Sequence, residues 1–369
     1  MDVISFARGA PAPECLAVPE LADCARAALE RDGTAILLYG PGGGYPPLRQ
    51  WIAARHGVEP ARVVITSGSL QGFVFLCELL VKPGTKVFVE APTYDRPLKI
   101  LSRLGAEIVG IPMDEEGLRL DALEEAIEEH GVPAFLYTIA TFQNPNGLTL
   151  SLERRRGLVE LARRHGLLVL EDDPYGLVRY EGEPLPTLFE LEGGEQVIYA
   201  SSFSKTIAPG LRVGYFVLPL ELAREIEAIA VSTYISPPFL TQATVHEFIR
   251  RGNFEPNLER VNGLLRSRRD AMLEALEEHL AGEATWIKPE GGYFLWVDLS
   301  AGQDTSALLP QAEAAGVSYV KGTDFFADGR GGSSLRLAYS FVSPAEIAEG
   351  VARLAPLFRG AAAPVTPLR

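Results

Sequence analysis

Lysine is scarce in this 369-residue chain, with six against 28 arginines, and the formal net charge is −14. An anionic surface of that size repels nucleic acid and acidic membranes, and no basic block offsets it, so neither is expected as a partner. Cysteine is nearly absent: Cys15, Cys24 and Cys77 form no CxxC pair, and their odd number fits a reducing, cytoplasmic compartment. Cys/His clusters with zinc spacing and the HExxH pattern are missing, so no metal site is expected. No run of about 18 apolar residues is available to span a bilayer. The N-terminus Met1-Asp2-Val3-Ile4-Ser5 lacks the basic-then-apolar pattern of a signal peptide.

The apolar fraction of 47% and charged fraction of 22% are those of an ordinary globular enzyme, and the length predicts one large unit plus a smaller one. From Arg62 to Leu218 short apolar runs alternate with amphipathic stretches that mostly stop at glycine, as at Gly105, Gly131 and Gly166. The runs are Val63–Ile65, Lys86–Glu90, Glu107–Pro112, Ala134–Ala140, Leu167–Glu171, Val197–Ala200 and Val213–Leu218. This alternation predicts an α/β fold: a mostly parallel seven-stranded sheet sandwiched by helices. After Gly282 the pattern changes to a compact α+β unit. The expected division is 1–32, an N-terminal segment packing with the small domain; 33–280, the large domain; and 281–369, the small one. The Ala/Pro-rich tail Gly360–Arg369 is expected to fray.

Among the lysines, Lys205 stands apart. Lys82, Lys86, Lys288 and Lys321 lie near Pro or Gly in turn-like settings, and Lys99 sits on a surface helix. Lys205 instead follows the apolar run Val197–Ala200, among Ser201, Ser202, Ser204 and Thr206, with Arg212 seven positions on. A partly desolvated amine favours its neutral, nucleophilic form, and hydroxyls with a guanidinium suit a phosphate dianion. A lysine for a carbonyl carbon beside a phosphate anchor is the equipment for pyridoxal 5'-phosphate.

Four more polar clusters fall at predicted carboxyl ends of strands, where open α/β sheets bind ligands. They are Thr66–Gln71, Ala91–Tyr94, Thr141–Gly147 and Glu171–Tyr175. Each alone has a plainer reading: a helix cap at Ser67–Ser69, a turn at Asn144–Gly147, solvated or capping carboxylates at Asp172 and Asp173, a surface ion pair at Arg212. Asp172 and Asp173 point to opposite faces if extended, which rules out a paired dyad. Gly40–Gly44 lacks the Gly-Lys-Ser/Thr ending of a phosphate loop, and Ser67-Gly68-Ser69 is not a Gly-x-Ser-x-Gly elbow.

In this order and over almost the whole chain, these motifs resemble fold-type-I PLP-dependent aminotransferases, in the branch containing 2-aminoadipate and kynurenine aminotransferases. Ile4–Pro13, Leu38–Pro41 and Gly44–Arg49 look like that branch's N-terminal signatures. The resemblance implies that Lys205 forms the internal aldimine and later serves as base in the 1,3-proton shift. Asp172 would pair with the pyridine nitrogen, keeping the ring a better electron sink. Tyr175 and Asn144 would bond the ring's phenolic oxygen, and Tyr94 would stack on its face. Ser69, the Leu70 amide, Ser202 and Arg212 would hold the phosphate. Arg336 would clamp the substrate carboxylate, its alternative being an edge-strand salt bridge, and Gly9 would lie beside the substrate, where a side chain would obstruct it. Tyr39 would reach the neighbouring subunit's site, which implies a homodimer.

The implied activity is a ping-pong transfer of the amino group of an L-2-amino acid to a 2-oxo acid, with 2-oxoglutarate the expected acceptor. A PLP-dependent lyase or decarboxylase, and a PLP-binding sensor module, remain alternatives; the expected absence of a helix-turn-helix segment disfavours the last. The chain departs from the branch at Arg8-Gly9, at Leu70, at Asn146 and in the Gly40–Gly44 loop. Arg8 or Arg26 are the candidates to receive an acidic substrate side chain.

Overall fold

The computed structural model describes residues 3–300 and 302–359; the tail expected to fray lies outside them. The chain enters through a two-residue strand, β1 (Ile4–Ser5), and two helices, α1 (Val18–Leu37) and α2 (Pro46–His56). Both helices carry proline in the first turn, where no intrahelical N–H is lost. Then come β2 (Val63–Thr66), α3 (Ser69–Leu80), β3 (Lys86–Ala91), α4 (Asp95–Arg103), β4 (Glu107–Asp114) and β5 (Gly117–Leu118). They are followed by α5 (Leu120–His130), β6 (Leu136–Thr138), α6 (Leu152–His165), β7 (Val169–Asp172), α7 (Leu188–Glu192), β8 (Val197–Ser202) and β9 (Gly214–Val217).

These strands form one sheet in the order β2-β9-β8-β7-β6-β3-β4-β5. The five from β8 to β4 run parallel, while β9 is antiparallel to both its neighbours. The expected count of seven is corrected to eight. The extra strand, β5, spans two residues paired antiparallel to the end of β4, too short to leave a periodic signal. Strands β2, β7, β8 and β9 are buried along their whole length, which is why they read as apolar runs rather than as alternating patterns.

Three helices follow, α8 (Leu220–Tyr234), α9 (Phe239–Arg250) and α10 (Phe254–Leu280). The remaining elements are β10 (Ala284–Trp286), β11 (Phe294–Leu299), α11 (Thr305–Ala314), β12 (Val317–Ser318), β13 (Val320–Lys321), β14 (Ser334–Ala338) and α12 (Pro344–Phe358). Strands β10-β11-β14-β13 make a four-stranded sheet, and β1 pairs with β12 in parallel.

Packing divides the N-terminal segment earlier than expected. Ile4, Phe6, Ala12 and Cys15 join the core of the smaller sheet, and the Ala338 amide donates to the Phe6 carbonyl. Cys24, Ala28 and Ile36 of α1 instead join the core of the large sheet, with α1 lying along α9. Small residues at 24 and 28 let the two helix backbones approach. Helix α10 crosses between the cores: Phe254 belongs to the large one and Val261 to Leu280 to the small one. Among the described residues no helix is long and apolar enough to cross a membrane.

Candidate active site

Strand order sets the site. Strand β3 is flanked by β4 on one side and β6 on the other, so the winding reverses there, and a crevice opens at the carboxyl ends. A cavity of about 340 Å³ lies there, lined by residues that include Gly9, Ser69, Tyr94, Asn144, Asp172, Tyr175, Lys205 and Arg336. Leu70, Ser202 and Arg212 also line it, so it gathers every residue singled out above for the cofactor or the substrate carboxylate except Tyr39. Tyr39 is 80% exposed and stands elsewhere on the surface. A larger cavity of about 490 Å³ shares Pro174 and Ser202 but is lined by Trp51, Arg55, His56 and Tyr199, and reaches neither Lys205 nor Asp172 nor Arg336. The chemistry therefore belongs to the smaller one.

Lys205 lies in the turn after β8. Its Nζ donates to the Gly9 carbonyl at 2.8 Å and sits 5.1 Å from the Tyr293 ring centroid. The side chain is partly open, toward the cavity, yet burial by the walls pushes its ammonium down to about 8, helped by Arg336 and Arg212. Such an amine is neutral and nucleophilic far more often than a surface lysine.

Asp172 ends β7, buried at 8% exposure. Its Oδ2 accepts from the Tyr137 hydroxyl at 2.8 Å, while Oδ1 has no hydrogen-bond partner among the described residues. Burial pushes its carboxyl up to about 6, opposed by the Tyr137 hydrogen bond. Asp173 goes to the other side, where its carboxylate accepts from Tyr199 Oη and the Gly176 amide. Strand alternation thus separates the two aspartates, as expected.

Arg336, on β14, is 6% exposed. It donates to Asn144 Oδ1 and to the Ala7 carbonyl, each at 2.9 Å, with the Phe294 ring 4.2 Å away. Its side-chain partners among the described residues are Asn144 and the Ala7 carbonyl and no carboxylate, so the edge-strand salt bridge is absent and the buried charge faces the cavity. Burial pushes it down to about 10, which still leaves it charged at neutral pH.

Asn144 is held by a buried framework. Arg155 of α6, fully buried, donates to the Leu150 and Ala140 carbonyls and to Thr141 Oγ1. Glu90, at the end of β3, accepts from Thr138, the Ile139 amide and Gln143. Both ends of the 139–150 loop are thereby tied to the sheet, and Asn144 is fixed beside Arg336.

The opposite wall is the start of α3. Gly68 has φ +84°, and a Cβ there would come within 2.5 Å of Arg212 Nη2. A Cβ on Gly214 would meet the Gly68 and Ser69 backbone at 2.6 Å, so β9 passes too close to the helix start for a side chain. Arg212 donates to the Ser67 carbonyl at 2.7 Å and pairs with no carboxylate among the described residues. A guanidinium, the Ser69 and Ser202 hydroxyls and the first amides of a 12-residue helix are donors of the kind that could hold a phosphate dianion.

The chemistry of these donors fits pyridoxal 5'-phosphate. The lone Asp172 Oδ1 awaits an N–H, Arg212 awaits an anion, and the Lys205 amine suits an aldehyde. Tyr94, whose phenol burial pushes up to about 12, offers a flat ring at the cavity wall. Tyr175, pushed up by burial, stands with its ring centroid 5.7 Å from Lys205 Nζ. Two arginines weighed for an acidic substrate do not reach this space: Arg8 lies over the Phe341 ring at 4.0 Å, and Arg26 pairs with Asp23 on the surface. Arg96, unremarked in the sequence because it looks like one more helix-face charge, does line the cavity. Tyr137 was equally hidden, as an aromatic in a buried strand.

Comparison with known proteins gives the family. The family described as Aminotransferase class I and II matches residues 2–354. The aromatic-amino-acid aminotransferase 1 of Thermococcus litoralis is 37% identical, over 96% of this chain and 87% of its own length. A crystal structure of the alpha-aminoadipate aminotransferase of Thermus thermophilus, complexed with N-(5'-phosphopyridoxyl)-L-leucine, matches with a TM-score of 0.92 at 38% identity, over 97% of this chain and 92% of that one. The kynurenine aminotransferase of Pyrococcus horikoshii matches with a TM-score of 0.94 at 35% identity, over 98% and 92%. The chain belongs to the aminotransferase class I and II family and is a fold-type-I, pyridoxal-phosphate-dependent aminotransferase of the branch that holds the 2-aminoadipate and kynurenine enzymes.

Proposed function

We propose that this enzyme moves the amino group of an L-2-amino acid to a 2-oxo acid, with 2-oxoglutarate as acceptor, in two half-reactions that share one site. The carrying observation is that one cavity holds a depressed-pKa lysine and a buried arginine without a carboxylate partner. Arg336 binds and orients the substrate carboxylate with its planar fork. Lys205 would hold the cofactor through its amine and would carry the proton to and from the substrate Cα. With the cofactor bound, Asp172 would accept from its ring nitrogen, Tyr175 and Asn144 would serve its phenolic oxygen, and Tyr94 would cover its ring face. The cofactor, when bound, supplies the electron sink.

A donor amino acid should convert the absorbance of the cofactor-loaded protein from its aldehyde-derived band to the amine band, and 2-oxoglutarate should reverse it; conversion by no amino acid would overturn this reading. Release of CO2, ammonia or a thiol with no oxo-acid acceptor would exclude transamination. The names of the relatives make 2-aminoadipate, kynurenine and aromatic amino acids the first donors to try.

Ser69, the Leu70 amide, Ser202 and Arg212 hold the phosphate in this reading. Gly68→Ala should therefore cost cofactor affinity as well as stability, because φ +84° with ψ 158° is strained for any residue that carries a Cβ. The added methyl pushes the tip of a flexible side chain, displacing Arg212 from its post. Losing a charge-assisted bond should raise the cofactor Kd by about tenfold or more, read by titrating the apoprotein. An unchanged Kd would remove Arg212 from the phosphate site.

The working form is a homodimer in the cytoplasm, with Tyr39 and Gly9 at the substrate and Tyr39 lent to the neighbouring site. Leu37, Leu38 and Tyr39 stand 65–80% exposed, with Ile235 close by through the Gly40 amide, which donates to Ser236 Oγ; such an apolar patch supports a covering partner. Three free, buried cysteines support a reducing compartment.

A further inference from the structure

The Asp172 carboxylate has two oxygens with different fates, and a residue of the neighbouring strand decides between them. Tyr137 lies on β6 in register with Leu170 of β7, two residues before Asp172 and on the same face of the sheet. It is 1% exposed. Its ring meets Phe73 of α3 edge-on, with centroids 5.4 Å apart, so it is wedged between the sheet and the helix whose first turn lines the cavity. From that position its hydroxyl donates to Asp172 Oδ2 at 2.8 Å, and Oδ1 is left without a partner among the described residues.

We propose that Tyr137 is the positioning residue for Asp172: its hydroxyl occupies Oδ2, holds the carboxylate in its ionised form and leaves Oδ1 as the acceptor offered to the cavity. This rests on the reading that Asp172 faces the ring nitrogen of the cofactor. A donor to a carboxylate lowers the carboxylate's appetite for a proton. Here it opposes burial and the Asp173 charge, both of which favour the neutral acid, with the Ser69 hydroxyl adding a smaller pull in the same direction as Tyr137. The phenol remains a donor throughout, because burial and the charges of Asp172 and Glu90, with Tyr94 nearby, hold its own ionisation far above the usual range. A proton shared between Asp172 and a ring nitrogen therefore stays on nitrogen. Without Tyr137 the balance should move toward the carboxylic acid by about tenfold or more.

The plainer reading is that a buried tyrosine has merely found an acceptor, and the test must separate the two. Wild type and Tyr137→Phe are loaded with pyridoxal phosphate labelled with 15N in the ring. The wild-type nitrogen should resonate in the pyridinium range, and in Tyr137→Phe it should move toward the neutral-pyridine position. kcat should fall about tenfold, with the KM for the amino acid nearly unchanged. Identical nitrogen signals in the two proteins overturn the proposal, whatever happens to the melting temperature. A neutral-pyridine signal already present in wild type instead overturns the assignment of Asp172 to the ring nitrogen, and the two failures are thus told apart. Should Tyr137→Phe not fold, 3-fluorotyrosine placed at 137 preserves the shape. Its 19F signal should shift when Asp172→Asn is added, and a signal that stays put overturns the proposal.

Discussion

Lys205→Ala will lose at least about a thousandfold in transamination rate, because in the proposed mechanism one substitution removes both the attachment point and the group that moves the Cα proton. Borohydride treatment of the cofactor-loaded wild type should fix the cofactor to the peptide containing residue 205, and in the variant to no peptide. Folding should survive. At neutral pH the protonated lysine is a burden on the fold, since its ammonium is depressed from 10.5 to about 8 by burial. The unfolded chain then binds more protons than the folded apoprotein between pH 8 and 10.5, so this contribution makes the wild-type apoprotein more stable as pH rises through that window. Below about pH 8 the full penalty applies, and the alanine variant avoids it. The same depression gives a kinetic signature. Capture of the cofactor aldehyde should quicken about fivefold from pH 7 to 8 and by less than about twofold from 8 to 9, whereas an ordinary lysine would gain about tenfold at each step. A steady tenfold rise per unit would mean that Lys205 is not desolvated.

What the sequence disclosed follows from how each feature is stabilised. Strands such as β7 and β8 are buried on both faces and had to be written as apolar runs, and the polar residues at their ends stand out against those runs. Lys205 and Asp172 are conspicuous for that reason. Tyr137 was not, since an aromatic in a buried strand looks like packing, and its hydroxyl matters only through the register of β6 against β7. The split of the N-terminal segment at about residue 16 was equally hidden. The spacing of Cys24 and Ala28 shows a helix face but not which core it meets. Arg8 shows the converse error: its place beside Gly9 invited a substrate role, and a nearby aromatic ring, Phe341, took the guanidinium instead. Residue type and spacing therefore brought out the polar residues that gather at one cavity at the strand ends, and reported poorly those contacts that depend on a second element.

Arg336→Ala should lower kcat/KM for amino acids by about two to three powers of ten. Two parallel charge-assisted hydrogen bonds to a carboxylate in a desolvated cavity are strong, and removing one partner leaves the other charge buried and unpaired. The effect should fall mainly on KM, because the carboxylate is held alike in the bound substrate and in the transition state; any fall in kcat reports lost orientation of the Cα–H bond. Arg336→Lys keeps the charge but loses the fork, and should recover part of the loss but not all of it. Some destabilisation is expected as well, since Asn144 Oδ1 and the Ala7 carbonyl both lose a donor and the space beside Phe294 is left unfilled. A control separates the two effects: with a primary amine that has no carboxylate, slow as that reaction will be, wild type and Arg336→Ala should turn over at nearly equal rates. If the variant is as impaired on the amine as on the amino acid, Arg336 is holding the cavity together rather than binding substrate, and the carboxylate site must be sought elsewhere, with Arg96 the next guanidinium on the same cavity wall.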